Sequence, residues 1–124
     1  MTNADGGAPV KSLFVMLAGY NAWANRRLYD AAEKLSDADY RADRGVFFKS
    51  MHGTLNHLLV ADRIWMRRFT GEGDHPDRLD ATHVFNHQTH HRGQAHAVLT
   101  GLTGAAPSFD LVLFQRETGL GLDA

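Results

Sequence analysis

The chain has 124 residues, enough for one domain built on a single core and too few for two. Its 44% hydrophobic and 22% charged content are those of a soluble globular protein, and a formal net charge of −1 with scattered Lys and Arg offers no basic face to a phosphate backbone, so nucleic acid is not an expected partner. Cysteine is absent, which excludes disulfides and thiolate metal sites and leaves histidine and carboxylate as the ligands available to any metal.

Taken in order, residues 1–10 are small, polar and interrupted by Gly and Pro, and the first eleven residues are expected to form a flexible lead to a single helical domain covering 1–124. Ser12 is a candidate N-cap. From Leu13, apolar residues at Leu17, Tyr20, Ala24, Leu28, Ala31 and Leu35 recur at steps of three and four, which predicts an amphipathic helix over residues 13–35. Lys11 followed by LFVMLAG resembles a short signal sequence, but the run is brief, meets Tyr20 and Asn21, and keeps helical periodicity. A cytoplasmic protein is therefore expected, and no segment is apolar enough to span a membrane. Asn21, Trp23 and Asn25 read as packing and local hydrogen-bonding residues. Residues 36–45, rich in Asp and Arg, read as a solvated connector.

A second helix is predicted over residues 47–70. His52, Asn56, Arg63 and Arg67 form one narrow polar stripe, while Phe48, Met51, Leu55, Leu58, Leu59, Val60, Ile64, Trp65, Met66 and Phe69 fill most of the remaining circumference. A helix apolar over so much of its surface needs cover on several sides. His57 and Asp62 fall inside the apolar arc, where a polar group costs free energy unless it finds a partner or a metal. For His57 a hydrogen-bonded core imidazole and a metal ligand both remain open; for Asp62 the alternative is an ion pair. Gly53, Thr54 and Ala61 surround His57, and such small neighbours would leave room for an ion.

Gly71, Gly73 and Pro76 end the helix and form a loop, and Asp80 is the expected cap of a third helix over residues 81–103, closed by Gly104. This helix carries five of the eight histidines, in HVFNHQTHHRGQAH. At about 100° per residue, His83, His87, His90 and His91 fall within roughly a quarter turn, joined by Gln94, while His96 points the opposite way. Val84, Ala95, Val98, Leu99 and Leu102 mark the inward stripe, with His91 near its centre and His87 at its edge; His83 and His90 lie towards solvent. Side chains four apart are neighbours on a helix, so His87 and His91 have the H-x3-H spacing of a zinc-type pair. Such a pair also arises by chance. After Pro107 and Ser108, FDLVLFQRE predicts a short last helix packed through Phe109, Val112 and Leu113, with residues 118–124 loose.

The stretches GYNAWANRRLYDA, FFKSMHGTLNHLLVADRIWMRRF, HVFNHQTHHRGQAHAVLTGL and PSFDLVLFQRE together resemble the damage-inducible DinB family, over most of residues 13–117 and in the family's order. The resemblance implies an all-α, four-helix bundle holding a divalent metal, zinc or nickel, on three histidines, which here would be His57, His87 and His91. It also implies hydrolase or thiol-transferase chemistry, for which Asp62 and His90 are candidate participants. One departure is large. Family members carry several tens of residues more between the second helix and the histidine helix, so this chain is expected to keep three long helices and a short C-terminal one, lacking one wall of the bundle. Two classes of function follow: a metalloenzyme acting on a small-molecule substrate, or a non-catalytic helical dimer module or internal-deletion remnant of the family. The uncovered apolar face of the second helix leads to the expectation of a two-fold homodimer.

Overall fold

A computed structural model describes the backbone of residues 3–70 and 78–121 and the side chains of 11–64 and 82–121. The described residues form α1 (Asn3–Glu33), α2 (Asp37–Arg41), α3 (Met51–Thr70), α4 (Arg78–Thr103) and α5 (Leu111–Thr118), with no strand among them. The fold is an all-α bundle of three long helices and a short C-terminal one, as the sequence predicts. None of the described helices is long and apolar enough to cross a membrane.

Several boundaries differ from the periodicity reading, each for a local reason. The backbone is helical from Asn3, so Ser12 lies inside α1 and is not its cap. The connector holds a helix of its own: the Ser36 hydroxyl accepts from the Asp39 N–H at 3.1 Å, and Arg41 reaches back to Asp37 at 2.9 Å. That ion pair is exposed on both sides and contributes a few tenths of a kcal/mol at most. The helix α3 begins at Met51 instead of residue 47. Its start is set by Ser50, whose Oγ accepts from the Gly53 N–H at 2.9 Å and whose carbonyl accepts from the Thr54 N–H at 3.0 Å. Ahead of Ser50 the chain turns tightly, with Val46 and Lys49 bridged and Lys49 at φ 73°, a left-handed conformation uncommon for a residue with a side chain.

At its other end, α4 starts at Arg78, which places Asp80 within the first turn and not at the cap position. Its close is as expected: Gly104, at φ 79°, donates its N–H to the Thr100 carbonyl at 2.9 Å. The loop expected from Gly71, Gly73 and Pro76 lies outside the described residues, as do the side chains of Trp65, Met66, Arg67 and Phe69.

The helix α4 packs against both α1 and α3. Leu28 and Ala32 of α1, Met51, Leu55 and Leu58 of α3, and Ala95, Val98 and Leu99 of α4 form one buried cluster. Each fully buried Leu there contributes on the order of 1.5–3 kcal/mol by leaving water. A second cluster joins Met16, Tyr20 and Ala24 to Phe114 of α5. Phe114 is thus the anchor of the last helix; the expected anchor Val112 faces solvent. Tyr20 donates its hydroxyl to the Phe109 carbonyl, Arg27 donates to the Ser108 carbonyl at 2.9 Å, and Trp23 donates to Glu117 at 3.1 Å, which ties the last segment along α1. Leu59, Val60 and Ile64 of α3 remain exposed.

Candidate metal centre

Two helices and one turn build the site. His57 comes from α3, His87 and His91 from successive turns of α4, and Phe48 from the turn that precedes α3. His91 is buried, and His57 and His87 are half-buried. The three imidazoles converge: one ring nitrogen from each lies within 4.8 Å of the other two. His57 Nε2 and His87 Nε2 stand 3.0 Å apart across thirty residues of sequence. Ligands about 2.0–2.1 Å from one divalent ion, at roughly 90–110° to each other, are about 3–3.4 Å apart, so this pair already has a shared-metal spacing and small side-chain rotations would bring in the third.

The donor set fits a transition metal chemically. Three imidazoles with no carboxylate among them suit zinc, nickel or copper-type ions and not calcium or magnesium, which need oxygen. Burial, followed by the nearby His91 and His87 rings, pulls the His57 pKa below its ordinary 6.5; burial does the same for His91, against a raising hydrogen bond from Gln94. Both shifts favour the neutral imidazole, which is the ligating form.

What surrounds the rings was only partly visible in the sequence. Phe48 lies flat on His57, with ring centroids 4.1 Å apart at 22°, and edge-on to His91 at 5.4 Å. Gly53 is small for a reason other than room for an ion: a Cβ there would sit 2.2 Å from the Phe48 carbonyl oxygen. His87 Nδ1 is 3.1 Å from Gln88 Oε1, and His91 Nδ1 is 2.7 Å from Gln94 Oε1. Gln88 is buried, and it donates through Nε2 to the Leu58 carbonyl at 3.2 Å and to the Asp62 carboxylate at 2.5 Å.

The remaining candidates are placed plainly. Asp62 reaches the histidines through Gln88 and is not one of the converging groups; burial raises its carboxyl pKa, partly offset by the Gln88 hydrogen bond. His90 is exposed beside His91, ring centroids 5.0 Å apart, and His83 is exposed one turn before His87. His96 points away and packs on Phe109. Behind the site, Arg92 is buried and donates to the Oδ1 atoms of Asn21 and Asn25 and to Thr89 Oγ1, under the Tyr20 ring. The polar pair Asn21 and Asn25 therefore bonds across helices instead of locally. Gln88 and Arg92 could have been found from the sequence: they fall on the Val84, His91, Ala95 stripe, where a polar residue must be satisfied.

The sequence profile of the DinB family matches residues 8–81 and 81–120. This chain belongs to the DinB family. The two matched stretches meet at residue 81, near the start of α4. No curated protein matches the chain, and no solved structure does. For a DinB-family chain, three histidines drawn together from α3 and α4 fit a metal-binding site.

Proposed function

We propose that this DinB-family protein binds one divalent transition metal, zinc or nickel, through His57, His87 and His91, and uses it for hydrolase or thiol-transferase chemistry. The observation that carries the reading is the convergence of three imidazole nitrogens from two helices, backed by neutral-imidazole conditions at His57 and His91. A divalent ion held by three neutral imidazoles supplies an open coordination position and Lewis acidity that lowers the pKa of a bound water or thiol.

The chain's own residues would do the rest. Phe48 covers one face of His57 and keeps water from that side. His90, exposed at the rim beside His91, is proposed to orient a ligand or move a proton there. The Asp62 carboxylate is committed to Gln88, so its contribution is proposed to be orientation of a ligand and not proton transfer. The test is turnover of activated ester and thiol-acceptor substrates by protein loaded with Zn²⁺ or Ni²⁺, compared with His90→Ala. Rate loss at His90 with metal content unchanged supports its role.

A second reading has its own observation. Leu59, Val60 and Ile64 are exposed on α3, the helix that supplies His57. We propose that a second copy of the chain covers this face in a two-fold homodimer. A loaded dimer with no turnover would favour a non-catalytic module over an enzyme.

A further inference from the structure

We propose that Asp62, Gln88 and His87 form a tautomer lock, which holds His87 with its proton on Nδ1 and its Nε2 bare towards the centre, and that Gln94 does the same for His91. The proposal rests on the three-histidine reading above and adds the residues that prepare the ligands.

The argument runs from groups whose roles are fixed by chemistry. A backbone carbonyl and a carboxylate can only accept, so the end of Gln88 that meets the Leu58 carbonyl at 3.2 Å and Asp62 Oδ1 at 2.5 Å must be its NH₂. The amide is thereby oriented, and the end that meets His87 Nδ1 at 3.1 Å must be its carbonyl oxygen. A carbonyl oxygen requires a donor, which puts the proton of neutral His87 on Nδ1 and leaves Nε2 as a lone pair. The Leu58 carbonyl, which can only accept, thus sets one ring through an intervening amide, and the ionised Asp62 carboxylate acts in the same sense. Free neutral histidine in water prefers the opposite form, with the proton on Nε2, so the lock works against the intrinsic preference. At His91 the contact is Gln94 Oε1 to Nδ1 at 2.7 Å, and an oxygen at that place selects the same form; the Gln94 variants below test this orientation.

The consequence reaches His57. With His87 Nε2 bare, the 3.0 Å contact between the two Nε2 atoms requires His57 to donate, which puts its proton on Nε2. Its ring rests on Phe48, and no acceptor among the described residues meets its Nδ1. Two ligands on α4 are therefore pre-set, and His57 on α3 is the one that must change tautomer to ligate through the Nε2 that faces His87.

Long-range ¹H–¹⁵N NMR of the full-length, metal-stripped protein at pH 8 reads each tautomer directly. His87 and His91 should show Nδ1–H, and His57 Nε2–H. In Gln88→Leu, His87 should move to the Nε2–H form, and in Gln94→Leu, His91 should do so, while Gln94→Glu, which keeps an acceptor, should leave it unchanged. Zn²⁺ affinity, measured against a competing chelator, should fall about 10–100-fold in each Leu variant and stay within a few-fold in Gln94→Glu. Gln94 is half-buried, so its variants keep the test open even if Gln88→Leu does not fold. His87 protonated on Nε2 in the wild type, or Leu variants with unaltered tautomers, would overturn the proposal. Expected tautomers together with no Zn²⁺ binding would sustain the lock and reject the metal-centre reading instead.

Discussion

Phe48 stacks on His57 at a centroid separation of 4.1 Å, from a turn whose carbonyl oxygen presses against Gly53 so closely that no larger residue fits. The turn and the first turn of α3 are therefore one unit, and the orientation of His57 depends on it. Gly53→Ala should displace the turn and lift Phe48 from the ring. Metal affinity is expected to fall roughly tenfold or more in Gly53→Ala and in Phe48→Ala, both through loss of the preset ring orientation. Chelator competition measures it, and unchanged affinity in both variants would show that the stack is incidental.

Burial of an unpaired guanidinium gives a second prediction. Arg92 is held by the oxygens of Asn21, Asn25 and Thr89, and no carboxylate lies within ion-pair distance of it among the described residues. The planar fork meets partners on two sides, which an ammonium on a flexible stem cannot do. Arg92→Lys should therefore cost about 2–4 kcal/mol of stability by stranding buried acceptors. Urea unfolding reads the loss; a variant as stable as the parent would contradict the bonding described.

How much of this was legible in the sequence depends on what kind of force placed each residue. Helical periodicity and the inward stripe of α4 were readable because burial repeats every three to four residues: His91 is buried, His87 half-buried, and His83 and His90 exposed, as the wheel places them. The ends were not. The start of α3 was set by Ser50 and the tight turn before it, and α2 by the Ser36 cap, both local hydrogen-bonding effects that override an apolar pattern. Phe48 was readable as apolar but not as a residue outside the helix, and the apolar pattern points to Val112 as an anchor, whereas the Asp110 cap sets the register of α5 and turns Phe114 inward. The partners of Gln88 lie twenty-six and thirty residues away, so only the packed bundle reveals them.

The pH dependence follows from the depressed pKa values of His57 and His91. Each folded-state value is lower than the ordinary 6.5, so between the two values the unfolded chain binds more protons than the folded one. Their contribution to the stability of the metal-stripped protein is complete above 6.5 and is lost as pH falls through 6.5 towards the folded values. Metal binding should weaken over the same window, because protons compete for the ligand nitrogens. Thermal melts and Zn²⁺ titrations between pH 8 and pH 5 check both. A melting temperature and affinity flat across that range would contradict a buried, all-histidine site.

Self-association is tested at Leu59, half-exposed on the outer face of α3 beside Val60 and Ile64. A charge placed there is expected to block the proposed homodimer. Sedimentation should give a dimer for the parent chain and a folded monomer for Leu59→Glu. A compact parent monomer at micromolar concentration would reject the dimer.

The most direct measurement is the metal content of purified protein, by elemental analysis, in three forms: the parent chain, His91→Ala and His96→Ala. His91 lies among the converging rings, while His96 is on the far side of the same helix against Phe109. The result expected is one divalent transition-metal ion per chain in the parent and in His96→Ala, and none in His91→Ala. No metal in the parent after reconstitution, or equal content in the two variants, would contradict the assignment of His57, His87 and His91 as a metal centre.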